Sequence, residues 1–216
     1  KVFMFKRRQT TLEGATPNAD SVLVRVFGAA VGGVLLFLLE IVQIVVIAAA
    51  IIIPIRYFLV QPFYVRGASM EPTFLDREYL LIDEITYRFR DPQRGDVVVF
   101  RYPRDPSEFF IKRVIGVPGD TVDVANGKVV VTNTEHTGGI VLEEEYISVQ
   151  ETTGTEHLTL NPDEYFLLGD NRPASLDSRS FGPVKSEYLV GRVWLRGLPV
   201  DRFWVFEPPI YEEFSS

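Results

Sequence analysis

The chain has 216 residues, 46% of them apolar and 24% charged, which is the composition of a globular protein. Its 22 Lys and Arg against 29 Asp and Glu leave a net charge of −7, excluding a general nucleic-acid binder, which needs a broad basic face. There is no Cys, and the two histidines, His136 and His157, lie in a polar stretch without companion ligands. Disulfide frameworks, thiolate metal sites, cysteine nucleophiles and a His-dependent triad drop out together.

The first element in chain order is an apolar run from Val31 to Pro54 without a single Lys or Arg. A hydrocarbon core of ~30 Å needs about 20 such residues in a helix, so the run reads as a membrane span. Glu40 and Gln43 interrupt it on one helix face. Either the span is shifted toward Ile41–Val60, or that face meets a partner helix in the bilayer. Lys1, Lys6, Arg7, Arg8 and Arg25 precede the run, and only Arg56 and Arg66 follow closely. That bias places the N-terminus in the cytoplasm and the remainder outside. A cleavable secretory signal is the rival, but its apolar region spans only ~7–15 residues and ends at a small-residue cleavage site. The expected organisation is a cytoplasmic segment 1–33, an anchor 34–60, an extracytoplasmic β-rich domain 61–206 and a tail 207–216.

Beyond Tyr57 short β-branched and aromatic runs alternate with Gly, Pro, Asn and Asp clusters. Strands are expected at residues 78–85, 96–102, 109–117, 164–169 and 188–195. The segment 120–132 is a hairpin turning at Asn126-Gly127, a pair suited to a type I′ turn. No long helical pattern follows residue 60, so the fold class is mainly β: an N-terminal transmembrane helix, then an antiparallel sheet or partly open barrel. Residues 134–157 read as a polar surface excursion, with Glu143, Glu144 and Glu145 as a solvated face.

Four blocks combine turn residues with polar groups inside apolar strand patterns: QPFYVRGASMEPTF (61–74), RGDVVVFRYP (94–103), FIKRVIGVPGD (110–120) and LGDNRPASLDSRSFGPV (168–184). Ser69 occupies a Gly-Ala-Ser-Met-Glu-Pro turn, and Lys112 interrupts an apolar strand. Each has a bland reading, as a turn cap and as a surface strand residue. If the Lys112 face is dry, desolvation lowers the amine's pKa toward neutrality. A neutral amine can take the proton of a serine hydroxyl, as in Ser-Lys variants of the triad. With neither Cys nor a usable His, no other hydrolytic pair is on offer.

In this order, behind an N-terminal span, the four blocks resemble the sequence boxes of bacterial type I signal peptidases, the membrane-anchored Ser-Lys proteases of family S26. The likeness covers roughly residues 55–200 in several segments. It is carried by Ser-Met-x-Pro-Thr, Lys-Arg-x-x-Gly-x-Pro-Gly-Asp and Gly-Asp-Asn-Arg…Ser-x-Asp-Ser-Arg. The resemblance implies that Ser69 is the acyl-forming nucleophile and Lys112 its general base, with Ser175 orienting the amine. Asp177, Arg179, Arg113 and Asp170 correspond to the polar scaffold of that corner, and the Ser69 N–H to part of the oxyanion hole. Phe63, Val65, Met70 and Ile111 match positions that line the small substrate pockets or lie beside the catalytic pair.

Two departures stand out: Gly67, where some members carry a serine as side-chain oxyanion donor, and Pro173-Ala174 before Ser175. The implied substrate is a secretory preprotein whose signal peptide ends in a small-x-small pattern. The implied partners are signal peptides and the lipid bilayer, with no nucleic acid, metal or cofactor. Binding is expected in extended form, by strand addition. Pro62-Phe63-Tyr64 either dips into the membrane interface or packs under the sheet. A self-cleaving repressor-type protein would instead bring a DNA-binding helix-turn-helix and no anchor. A catalytically dead, tethered peptide-binding domain would have no reason to keep both Ser69 and Lys112.

Overall fold

The computed structural model describes residues 29–58, 60–148, 152–211 and 214. The chain separates into two compact units between Ile53 and Pro54. The basic residues on which the orientation was read, Lys1 to Arg25, lie outside the described residues.

In the first unit, helix α1 (Ala29–Phe58) carries the apolar run, and its backbone stays helical past Pro54. Val31–Ile53 is long and apolar enough to cross a membrane, with its side chains directed outward all round. Among the described residues nothing supports a partner helix at Glu40 and Gln43.

The second unit is built from antiparallel strands. One sheet has eight strands, and its main path runs β1 (Val60–Tyr64), β2 (Tyr79–Asp83), β11 (Leu189–Leu198), β3 (Val97–Tyr102), β4 (Asp105–Gly116), β9 (Glu164–Leu168) and β10 (Val184–Lys185). Strand β12 (Trp204–Val205) branches from β11. The path does not close on itself, which fits the expected antiparallel sheet or partly open barrel. A second sheet of four strands orders β7 (Ile140–Val141), β6 (Lys128–Thr132), β5 (Thr121–Ala125) and β8 (Glu156–Thr159). One short helix, α2 (Ser178–Phe181), follows β9.

The sequence pattern explains this layering. Val97 and Val99 point into one core cluster with Leu80, Ile82 and Val193, while Val98 and Phe100 point into another with Val114 and Leu167. A strand buried on both faces reads as a continuous apolar run rather than an alternation. Strand β9 is the same: Phe166 and Leu168 face a third cluster shared with Val122 and Val131 of the second sheet, Tyr165 and Leu167 the opposite side. The β5–β6 hairpin turns where expected, with Ala125 opposite Lys128 and positive φ at both Asn126 and Gly127. That is the backbone requirement of a type I′ turn.

The excursion 134–157 differs from its sequence reading. Leu142, Glu144, Ile147 and Thr152 are buried, and Ile140–Val141 adds a strand to the second sheet. Of the three consecutive glutamates only Glu143 and Glu145 face solvent. The extended backbone alternates faces, so Leu142 and Glu144 share the inner one.

Candidate active site

Strand β4 presents Lys112 at its centre, paired with Val98 of β3. Among the described residues its outer side carries no strand partner until Arg113, where pairing with β9 begins. Opposite, β1 runs into a turn that brings Ser69 across the gap. Lys112 Nζ lies 2.8 Å from Ser69 Oγ and 2.8 Å from the Ile111 carbonyl oxygen. The lysine is 3% exposed, with its ammonium 5.4 Å from the Phe110 ring centre.

Burial penalises the charged amine and pushes its pKa down to about 8; the carboxylates of Asp177 and Asp170 pull weakly the other way. With that pKa about a tenth of the amine is uncharged at pH 7 and about half at pH 8. A neutral amine has two N–H donors and one lone pair. With one N–H given to Ile111, the lone pair is available to Ser69.

The turn holding Ser69 is pinned from several directions. Gly67 adopts φ +88°, a left-handed conformation that favours glycine, and gives its N–H to Asp76 Oδ1 at 2.8 Å. The Ser69 carbonyl accepts from the Asn171 N–H at 3.1 Å, and Asn171 Nδ2 donates to the Ala68 carbonyl at 3.0 Å. The Ser69 N–H itself meets no backbone acceptor among the described residues, which leaves it free for an oxyanion. Gly169 fits so tightly beneath the turn that a Cβ there would lie 2.4 Å from the Ser69 carbonyl oxygen and 2.2 Å from Ser175 Oγ.

The expected polar scaffold comes together around this turn. Arg113 and Asp170 form a two-pronged, fully buried ion pair. Thr73 Oγ1 donates to Asp170 Oδ2 at 2.5 Å. Asp177 takes the Gly169 N–H at 3.1 Å, caps α2 through the Arg179 N–H and pairs with the Arg179 guanidinium. These groups ring the corner of Ser69 and Lys112 without touching Ser69 Oγ.

Two expected contacts are absent. Ser175 Oγ does not reach the lysine amine; it is buried without a hydrogen-bond partner among the described residues. Met70 does not line the cleft: its side chain turns inward and is 1% exposed in the cluster of Phe74, Leu80 and Val193. The cleft is a cavity of about 640 Å³ bounded by Phe63, Val65, Ile111, Ser69 and Lys112. Phe109, Phe110, Ala174 and Leu176 also line it, none of which the sequence reading placed in the pocket. Phe63 packs edge-on against Phe109, whereas the next residue, Tyr64, is half exposed against Tyr79. A second cavity of about 770 Å³, walled by Arg113, Tyr146 and Trp204, reaches neither Ser69 nor Lys112.

Glu144, Arg172 and Asn171 also bear on the site and were missed. Asn171 and Arg172 stand inside the fourth block, where the motif itself was the available signal. Glu144 carries no local signal at all.

Comparison with known proteins agrees with this geometry. A family model described as signal peptidase, peptidase S26, matches residues 38–197. A probable signal peptidase I-2 of Synechocystis sp. is 40% identical over 170 residues, covering 76% of this chain and 75% of that protein. A signal peptidase I of Leptolyngbya laminosa is 35% identical over 80% of this chain and 85% of its own length. Signal peptidase IB of Staphylococcus aureus is 33% identical over 77% of this chain and 92% of its own. The open antiparallel sheet, the turn bearing Ser69 beside a buried Lys112, and these likenesses agree: the chain belongs to the signal peptidase family, peptidase S26.

Proposed function

We propose that Ser69 and Lys112 are the dyad with which this endopeptidase removes signal peptides from secreted preproteins. The observation that carries the reading is the 2.8 Å approach of a buried amine to a serine hydroxyl at the floor of an apolar cleft. Ser69 Oγ bonds to the scissile carbonyl carbon as its proton passes to Lys112 Nζ. The oxyanion lies against the Ser69 N–H. Collapse breaks the C–N bond, and the Lys112 ammonium returns the proton to the leaving amine. Water then attacks the ester, giving its proton to the same nitrogen, and Ser69 is regenerated.

The walls favour small apolar side chains before the cut. Phe63, Val65 and Ile111 offer the substrate no hydrogen-bonding side chain. The unpaired outer side of β4 is suited to an extended peptide, with alternate residues directed into the cleft.

The apolar helix anchors the enzyme in the bilayer, and the Lys/Arg excess at the N-terminus places that end in the cytoplasm. The peptidase unit then works on the outer face of the bacterial plasma membrane, where signal peptides are presented.

The test is cleavage of a purified preprotein by the full chain in detergent micelles. Ser69→Ala and Lys112→Ala are each expected to lower kcat by about 10⁶-fold, the scale on which a protease feels the loss of its nucleophile. Unfolding midpoints should stay near that of the parent. Parental cleavage by either variant overturns the assignment.

A further inference from the structure

Glu144 lies in a segment that looks uninvolved in chemistry, 25 positions before Gly169, yet it is buried, and its contacts lead to the nucleophile. Its two carboxylate oxygens receive both terminal nitrogens of Arg172, Nη1 at 2.8 Å from Oε2 and Nη2 against Oε1. Arg172 Nη1 also donates to Thr152 Oγ1, and Nε donates to the Gly169 carbonyl at 3.1 Å. Tyr146 Oη adds a 2.6 Å hydrogen bond to the same glutamate. Farther along, Arg179 joins the two segments again, giving Nη1 to the Thr153 carbonyl at 2.8 Å and Nη2 to the Arg172 carbonyl at 2.7 Å.

The gripped loop is the one that holds Ser69. Gly169 abuts the Ser69 carbonyl, Asp170 carries the ion pair to β4, and Asn171 makes the two hydrogen bonds to the nucleophile turn. The chain of contacts is therefore continuous, from Glu144 through Arg172 and Gly169 to Asn171 and Ser69. A buried ion pair contributes little net stability over an apolar pair of the same shape, because desolvation offsets the attraction. What it does supply is direction. The guanidinium fork fits only one planar arrangement of acceptors, and here four of its five N–H groups are directed to Glu144, Thr152 and Gly169.

We propose that Glu144, acting through Arg172, is a positioning residue that holds the 169–172 loop and the Ser69 turn at the separation from Lys112 that proton transfer requires. The proposal rests on the reading of Ser69 and Lys112 as the reacting pair. It assigns the excursion a role as a strap behind the catalytic corner.

The test compares the full chain with its Glu144→Gln, Glu144→Asp and Thr152→Val variants in detergent micelles. Initial rates of preprotein cleavage are measured across pH, with thermal unfolding in parallel. Glu144→Gln is expected to lower kcat by about 10- to 100-fold with KM nearly unchanged, the scale of a small misplacement of reacting groups. Its acid limb should move to higher pH, because a loosened corner admits water to the amine. Glu144→Asp, which keeps the charge, should recover part of kcat. Thr152→Val preserves shape, removes one bond to Arg172, and should show a smaller loss of the same kind. If Glu144→Gln does not fold, Thr152→Val decides by itself. Parental kcat and an unmoved acid limb in the folded variants overturn the proposal, even if their unfolding midpoints fall, since that outcome is support of the fold alone. Ser69→Ala in the same assay separates the two levels: if it still cleaves, the dyad assignment fails first and the positioning role fails with it.

Discussion

Asp170 receives Arg113 through two parallel hydrogen bonds, Nε to Oδ1 at 2.9 Å and Nη2 to Oδ2 at 2.6 Å. Neither side chain is measurably in water, and the guanidinium lies 3.8 Å from the Tyr146 ring centre. Arg113 directly follows Lys112 on β4, and Asp170 directly precedes Asn171. The pair thus ties the strand carrying the amine to the loop carrying the serine turn.

Asp170→Asn should therefore be costly. It leaves the guanidinium buried with only neutral partners, and breaking a buried pair from one side costs about 3–5 kcal/mol. Equilibrium unfolding of the full chain in micelles measures this. A change below about 1 kcal/mol would mean that the corner is held by other contacts.

The pH dependence of kcat/KM follows from the lysine. A base acts only when unprotonated, and burial sets the Lys112 pKa at about 8. Activity should fall as pH drops through that region, with one proton on the acid limb. A profile flat from roughly pH 6 to 9 would remove Lys112 as the base.

The same shift makes a statement about stability. Below the folded-state pKa, lysine is charged in both folded and unfolded chains, and the folded state bears the whole cost of burying an ammonium. Between about 8 and the ordinary value of 10.5 the folded chain sheds its proton first, so stability rises with pH. Above that window both forms are neutral. Lys112→Met should accordingly raise stability at pH 7 by up to about 3 kcal/mol, and the gain should fade at high pH. Denaturation at several pH values tests it: a variant that is less stable at every pH contradicts the buried-ammonium account.

What could be read in advance divides along physical lines. Asn126-Gly127 was legible because a type I′ turn is a local requirement on two residues. Strands β3 and β9 were legible as short β-branched and aromatic runs, but their burial on both faces was not read from the sequence. Ser69 and Lys112 could be paired because few other reactive side chains exist and because of their motif context. Met70 could not be placed: its neighbours in the motif say that it is near the site, but the turn decides whether its side chain faces cleft or core. Glu144 was hidden for a different reason. Three consecutive glutamates look like a solvated face, and an ion pair to Arg172 across 28 positions leaves no periodic trace. Strands β7, β10 and β12 have two residues each, too few for any alternation to register.

Ser175 poses the sharpest contrast between fold and turnover. Its Oγ is buried and unpartnered, a situation that costs about 1–3 kcal/mol. Both it and the Ser69 carbonyl crowd the same face of Gly169. In the resting geometry the neutral amine uses its lone pair on Ser69 and one N–H on the Ile111 carbonyl, which leaves its second N–H without an acceptor among the described residues. Once Lys112 has taken the proton that N–H belongs to an ammonium and is a stronger donor, and Ser175 Oγ is an unoccupied acceptor in that corner. Ser175→Ala should therefore leave the unfolding midpoint unchanged or raised, because it deletes an unsatisfied hydroxyl. At the same time kcat should fall by about tenfold or more, with KM little altered, since the contact strengthens as charge develops. Unfolding and initial-rate measurements on one preparation separate the two effects. Loss of stability together with parental kcat would show that the hydroxyl serves packing and takes no part in turnover.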